Sequence, residues 1–396
     1  MSERLRLFVA CAPGLEELLA DELDGLGVEE AVVTPGGVSC FGERETVYRI
    51  NLGSGLALRV LVRMAEFIVR DFAKLERVAK ALPWEDWLST EIGVRVRAHA
   101  KRSRLYHTKA IAERIERGIA RRTKGAVKLR DDRAQGPGGG ELGEGPREPT
   151  LVQVRIVRDR CTISVDTTGT LLHKRGWRAQ TGKAPLREDI ARALLLVSGW
   201  EPGMALFDPV CGAGTIPIEA ATIAAGLAPG ARRAFACMHA PTFERGRFED
   251  LRARARGDAR RGGATLFGAD RNAGAVEAAR ANAGRAGVEG LVTFEQRSVG
   301  DAALPTLDGA GVALLANPPW GLRTGDPARL RNLYASLGKL ARALPRPTRI
   351  GLVTNDPALA GATKLGLERR LLTDQGGVKI GLWVGVLEHP QVVSRG

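Results

Sequence analysis

Two short stretches in the second half of this chain hold residue types that could do chemistry together: Asp208-Pro-Val-Cys-Gly-Ala-Gly-Thr215 and, about a hundred residues on, Asn317-Pro-Pro-Trp320. In the second, the Asn317 carboxamide oxygen and the Pro318 carbonyl can each accept one hydrogen of a planar amine, which aims the nitrogen lone pair at an electrophile. Pro318 and Pro319 stiffen the loop that presents those oxygens. Trp320 offers a flat face to a base, a contact worth roughly 1–3 kcal/mol per base in other systems. In the first, Gly212 and Gly214 permit turn geometry and close backbone approach to a ligand, and the helix that follows opens with N–H groups lacking an intrahelical partner. A nucleotide-type cofactor in the turn and an exocyclic amine at the loop describe methyl transfer from the sulfonium of S-adenosylmethionine. No strong general base is required, since the amine sheds its proton readily once methylated.

Each motif needs a strand to hold it. Residues 204–207 form a short apolar run that leads into the Gly-rich turn and then an Ala/Ile-rich helix at 216–227, and residues 312–316 form a second apolar run ending at Asn317. In an open parallel sheet ligands collect at the carboxyl edge, where both motifs would then lie. A further strand, 264–270, closes on Asp270, whose carboxylate can accept hydrogen bonds from a ribose diol. Dinucleotide-binding folds place about 20 residues between the turn and that acid, and the interval is roughly three times longer in this chain, so NAD is disfavoured. The candidate cofactor residues are Asp208, Cys211, Gly212, Ala213, Gly214, Thr215, Asp270, Arg271, Ser298 and Asn317. Alone, Asn-Pro-Pro is more often a plain turn than a catalytic loop. The order of the motifs, their separation and the strand before each reverse those odds.

The first half of the chain reads as the part that holds a polyanion. The 396 residues carry a formal charge of +14, and residues 95–133 concentrate it, with fourteen Lys or Arg against four Asp or Glu. A half-exposed strand at 94–98 leads to a loop at 101–109 and an amphipathic helix at 110–122 with Ile111, Ile115 and Ile119 on one face. The loop sets Lys101, Arg102, Arg104 and Lys109 beside Tyr106 and His107, a mixture of charge and planar rings that suits single-stranded RNA ends. The plainer reading is a solvated basic face.

Before that patch, a strand at 5–10, a helix at 15–26, strands at 31–33 and 38–41 and a helix near 45–51 make a small α+β unit. A second unit begins within 67–87, its helix turning Leu75, Val78 and Leu82 inward, with Trp84 and Trp87 in the core. Residues 135–149, rich in Gly, Pro and Glu, read as a mobile insertion, after which 151–157 and 162–166 resume as a strand pair around Asp159-Arg160. Residues 226–263 read as an Arg-rich insertion containing a solvated helix at 243–256.

With His173-Lys-Arg-Gly-Trp177 and Ala184-Pro-Leu-Arg-Glu-Asp189, the two motifs and the basic first half resemble the THUMP-domain RNA guanine-N2 methyltransferases over nearly the whole length. The resemblance implies α/β and α+β architecture in three parts: a ferredoxin-like domain at 1–64, a THUMP RNA-binding domain at 65–166 and, after a linker at 167–183, a Rossmann-like class I methyltransferase domain at 184–396. It implies S-adenosylmethionine as cofactor and methylation of a guanine N2 in 23S ribosomal RNA, with tRNA as the nearest alternative substrate. Asn317, Pro318, Pro319 and Trp320 would then be catalytic, and Lys101, Arg102, Arg104, His107, Lys109, Lys174 and Arg175 would contact structured RNA. Two positions depart from the family: Trp320 stands where Tyr or Phe is usual, and Ser298 stands where many relatives place an adenine-pocket Asp, with Asp301 three residues on.

Other classes fare worse. The five cysteines, Cys11, Cys40, Cys161, Cys211 and Cys237, are scattered and odd in number, which supports neither a disulfide framework nor a zinc site, and no metal is expected. No apolar run reaches the length of a membrane span and no signal peptide is legible, so a cytoplasmic protein is expected. One methyltransferase activity is expected, since the last strand of such a domain falls at 380–387. Rival readings are an adenine-N6 DNA methyltransferase, against which the basic first half argues, and a non-catalytic RNA-binding ribosome-assembly factor. A thiouridine synthase would need a Ser-Gly-Gly-x-Asp-Ser loop, which the sequence lacks.

Overall fold

Strands that alternate buried and exposed residues build much of one sheet, and short strands that are buried throughout form the centre of another. The computed structural model describes residues 4–130, 148–178, 185–256, 263–301, 305–320 and 326–388. Most of the expected insertion at 135–149, residues 179–183 of the expected linker and Ala184 lie outside the described residues. The chain divides into two units, one comprising residues 1–11, 19–172 and 230–254, the other 12–18, 173–229 and 255–396.

The first unit contains β1 (Leu5–Cys11), β2 (Val32–Thr34), β3 (Gly37–Gly42), β4 (Ala57–Ile68), β5 (Val94–Lys101), β6 (Thr150–Val157) and β7 (Arg160–Asp166). They form one sheet in the order β2-β3-β1-β4-β7-β6-β5, antiparallel throughout except for the parallel pair β5 and β6. One face buries Val9, Val60, Val154, Ile156 and Ile163. Each such side chain contributes roughly 1.5–3 kcal/mol of hydrophobic stabilisation. The helix Thr108–Arg122 buries the expected stripe Ile111, Ile115 and Ile119 completely, and Leu75 of the helix Phe72–Ala81 is equally covered. Trp84 is fully buried because its indole N–H finds a partner, donating to the Ala79 carbonyl at 2.6 Å. Strand β4 runs across the expected 64/65 boundary, so a cut there falls inside a hydrogen-bonded element.

The expected solvated helical insertion holds along most of the helix but is anchored by aromatic packing that was not expected. Residues 230–254 group with the first unit, and Phe248 of the helix Arg245–Ala255 is fully buried. Phe243 and Phe248 meet Tyr48 edge-on at 5.5 and 5.7 Å, and the Glu244 N–H donates to the Tyr48 hydroxyl at 3.1 Å. The aromatic residues lie partly outside the helix, so no 3.6-residue period announced them.

The second unit holds β8 (Ala205–Asp208), β9 (Leu266–Asp270), β10 (Thr293–Gln296), β11 (Val312–Ala316), β12 (Thr348–Thr354), β13 (Glu368–Gln375) and β14 (Val378–Leu387) in the order β10-β9-β8-β11-β12-β14-β13. Strands β8 to β12 run parallel and the β13–β14 hairpin is antiparallel. Every residue of β8 and β11 is buried, as a strand with both faces covered requires. This is a Rossmann-like α/β sheet. The strand order reverses between β8 and β11, which opens the ligand crevice at their carboxyl ends.

Candidate active site

The Gly-rich turn leaves β8 at Asp208 and enters the helix Thr215–Ala224 through Gly214, whose φ of +83° is a left-handed conformation natural to glycine. Space is a second constraint there, since a Cβ on Gly214 would lie 2.9 Å from the Phe294 ring and 3.0 Å from the Ala279 side chain. Gly212 differs: its φ is +54°, but a Cβ would meet no protein atom within 4 Å, which leaves the backbone open to a ligand. The turn is tied from several sides. The Gly212 N–H donates to Asp270 Oδ2 at 3.0 Å, the Cys211 N–H to the Ala269 carbonyl at 2.8 Å, and Asn282 Nδ2 to the Ala213 carbonyl at 3.0 Å. Asp270 ends β9 beside the turn and accepts the Asn272 N–H on its other oxygen at 2.9 Å. Each of its oxygens keeps a further acceptor site.

Asp208 is 2% exposed. Burial pushes its carboxyl well above the ordinary range, the Val210 N–H opposes that, and the Asp270 charge adds to the rise. Burial also raises the Cys211 thiol well above its usual value, with Asp208 and Asp270 adding to it, so this cysteine fills space and is no thiolate nucleophile.

Residues 173–178 brace the turn. Arg178 Nη2 donates to Thr215 Oγ1 at 2.7 Å, and its Nε pairs with Glu188 at 2.9 Å. The Trp177 carbonyl accepts from Arg285 Nε at 2.7 Å, and Arg285 in turn donates to Asn282 Oδ1 at 2.5 Å. Arg175 corrects an expectation. Its side chain and that of Glu219 are each 2% exposed and pair at 3.2 Å, so this cation is spent inside the second unit and is out of reach of RNA. Lys174 is exposed and His173 half-buried.

Asn317 follows β11, the strand that pairs in parallel with β8, so the loop and the turn leave the same edge of neighbouring strands. Asn317 is half-buried, Pro318 buried, Pro319 exposed and Trp320 half-buried. The Trp320 indole N–H donates to Asn317 Oδ1 at 3.1 Å, while its ring packs against the core cluster that contains Ala316 and Tyr334. The indole therefore fixes which carboxamide atom is the acceptor and leaves that oxygen a second lone pair. Ser298 is exposed beyond β10, where its N–H donates to Asp301 Oδ2 at 2.7 Å; Arg271 is exposed after β9.

In the first unit, Lys101, Arg102, Arg104, His107 and Lys109 are all exposed, and the Tyr106 and His107 rings lie 4.1 Å apart. The loop is anchored by the Arg104 N–H, which donates to Asp159 Oδ1 at 2.7 Å.

Arg178, Asn282 and Phe294 were not foreseen from sequence. Arg178 directly follows the His173-Lys-Arg-Gly-Trp177 stretch, and Asn282 is a fully buried amide beside the stripe Val276, Ala279, Ala283 and Ala286 of the helix Ala273–Ala286. A polar side chain at a core position of a helix is the signal that could have found it.

Among the described residues no helix is long and apolar enough to cross a membrane, and no group of three or more His, Cys, Asp or Glu is placed to hold a metal ion.

The family model for the RMKL-like methyltransferase domain matches residues 175–365, and that for the RlmL ferredoxin-like domain matches residues 6–61. A Synechocystis sp. protein provisionally named an RNA methyltransferase is 31% identical over 374 residues, 94% of this chain and 94% of that protein. The ribosomal RNA large subunit methyltransferase K/L of Syntrophotalea carbinolica is 36% identical over 369 residues, 91% of this chain and 50% of that protein, so the chain spans about half the length of this relative. Among solved structures, a Listeria monocytogenes protein described as a predicted N6-adenine-specific DNA methylase superposes with a TM-score of 0.81 at 30% identity, covering 96% of each chain. A protein provisionally assigned as a methyltransferase and solved with SAH superposes at 0.82 with 27% identity, covering 99% of this chain and 100% of that one.

Proposed function

Because the chain belongs to the RMKL-like methyltransferase family, we propose that it carries the methyl group of S-adenosylmethionine to the exocyclic N2 of a guanine in large-subunit ribosomal RNA. One observation carries the reading: the Gly-rich turn and Asn317 leave the same edge of two neighbouring parallel strands. The open backbone at Gly212 and the carboxylate of Asp270 fit the cofactor, with Asp270 toward the ribose and Ser298 or Asp301 toward the adenine. When bound, the cofactor supplies the electrophilic methyl.

The protein's part is to orient the nucleophile. Asn317 Oδ1 and the Pro318 carbonyl accept the two amine hydrogens and turn the nitrogen lone pair toward the methyl. Trp320 holds the Asn317 carboxamide through its indole N–H and offers the uncovered part of its ring to the base. The target guanine leaves its stack to reach this loop, because its amine is otherwise engaged in pairing. A THUMP-like region at 65–166 holds the RNA through Lys101, Arg102, Arg104, His107 and Lys109, and Lys174 of the second unit is a separate proposed contact. tRNA is the nearest alternative substrate. Adenine-N6 methylation, named for the Listeria protein, uses the same amine geometry and is the second reading.

Asn317→Ala tests the orienting role. Turnover on RNA is expected to fall by roughly 10²–10³-fold or more, the usual cost of a lost positioned group, with RNA affinity unchanged. Asp270→Ala is expected to raise the KM for S-adenosylmethionine instead. A wild-type rate in Asn317→Ala would remove the amine-orienting mechanism.

A further inference from the structure

The sheet of the first unit buries one face and leaves the other open, and register shows what the open face carries. Arg63 of β4 pairs with Ser164 of β7, Ser164 with Gln153 of β6, and Gln153 with Arg97 of β5. The next row runs Glu66, Thr162, Arg155 and His99, and the third runs Ile68, Arg160, Val157 and Lys101. Side chains in register across neighbouring strands share a face. From β1, Arg6 and Phe8 join the same surface: Arg6 bonds to Glu66 at 3.0 Å, and the Arg63 guanidinium lies 4.7 Å over the Phe8 ring. At about 4.8 Å per strand, β1 to β5 spans roughly 19 Å of sheet surface whose centre is small and polar.

Cations crowd this face. Glu66 pairs with Arg6 at 3.0 Å and with Arg160 at 3.1 Å, while Arg155 on β6 and Arg97 and Lys101 on β5 carry the charge on across the same face. Burial draws the Arg63 guanidinium below its ordinary value, Glu66 opposes this, and the like charges of Arg6 and Arg155 add to the lowering. The helix Thr108–Arg122 differs: Arg114 and Arg121 pair with Glu76 and Arg122 with Glu85, so three of its cations are answered by acids of the same unit. Like charges held together across a surface that also carries the Phe8 and His99 rings suit a chain of phosphates whose bases can stack.

Taking RNA as the substrate, as proposed above, we infer that this open sheet face is a binding platform for a single-stranded stretch of that RNA, continuing the loop at 101–109 across the sheet to β1. The platform predicts that removing cations from the sheet weakens RNA binding in a salt-dependent way, whereas removing as many from the helix does not.

The test uses the full chain and a fluorescein-labelled 20-nucleotide oligouridine, with affinity read by anisotropy across a salt series. The variant Arg97→Gln/Arg155→Gln/Arg160→Gln alters three exposed side chains, and Arg117→Gln/Arg121→Gln/Arg122→Gln removes the same charge from the helix. The sheet variant is expected to lose at least about tenfold in affinity and to flatten the log–log salt slope by about 2, at about 0.7 per lost phosphate contact on single strands. The helix variant should keep the wild-type slope. Equal losses in both variants, or an unchanged sheet variant, would overturn the platform while leaving the substrate assignment standing. Tighter binding of a duplex RNA of equal length would overturn the single-strand assignment. A wild-type chain that binds no RNA would sink both the platform and the RNA substrate.

Discussion

The Gly-rich turn and the Asn-Pro-Pro-Trp loop end neighbouring strands of one sheet, yet they are held in opposite ways. Asp270, Asn282, Arg178 and the Ala269 carbonyl all reach the turn from outside its own strand and helix. Among the described residues, the side-chain bond that orders Asn317 comes from three positions away, from Trp320 of the same loop. A cofactor bound in every cycle gains from a turn built in advance, because ordering it on binding would cost affinity. A loop that, on the proposed function, admits a flipped base and then releases it gains from being held by its own prolines and one internal hydrogen bond.

Breaking the turn should have the larger effect on how the two motifs are held. Gly214→Ala forces a side chain into a left-handed conformation, which costs roughly 1–3 kcal/mol, and drives its Cβ against Phe294. The dissociation constant for S-adenosylhomocysteine, read by calorimetry, is expected to rise by roughly tenfold or more. Unchanged affinity would mean the turn is not prebuilt.

Loss of the loop's internal hydrogen bond should have a smaller effect. Trp320→Phe keeps a ring that can pack and stack but loses the indole N–H. The loss of one hydrogen bond of about 1 kcal/mol is expected to lower kcat roughly fivefold, with RNA affinity within about twofold of wild type. A wild-type kcat would reduce Trp320 to a stacking surface.

Asp208→Asn should have the smallest effect, and one that depends on pH. The unfolded carboxyl titrates near 3.8 and the folded one well above it. The native state therefore binds the proton more tightly, and stability falls as pH rises from the unfolded value toward the folded one. The amide has no charge to bury, so the variant should melt roughly 2–4 °C above wild type at pH 8, and the gap should close toward pH 4. A gap that does not vary with pH would mean that burial does not raise the Asp208 carboxyl.

The contrast also marks how far the sequence could be read. Both motifs were legible because their chemistry demands particular residue types in tandem, each after an apolar strand. The stripe at Ile111, Ile115 and Ile119 was legible from its period. Arg175 was not: it looks like its exposed neighbour Lys174, and its fate depends on Glu219, 44 positions away. The aromatic contact between Tyr48 and the segment at Phe243 spans nearly 200 positions, with Glu244 bonded to Tyr48 across 196. Such pairings are decided by tertiary packing and leave no local pattern. The shared strand β4 was missed for a related reason, since one long alternating strand reads the same whether it serves one α+β element or joins two.

The most direct test of the central claim is to incubate the protein with labelled S-adenosylmethionine and, separately, deproteinised ribosomal RNA and tRNA from a strain lacking it, then identify the labelled nucleoside. Label in N2-methylguanosine from ribosomal RNA is the predicted result. Label only in N2-methylguanosine from tRNA would move the substrate and keep the chemistry, whereas label in N6-methyladenosine would contradict the assignment of the amine.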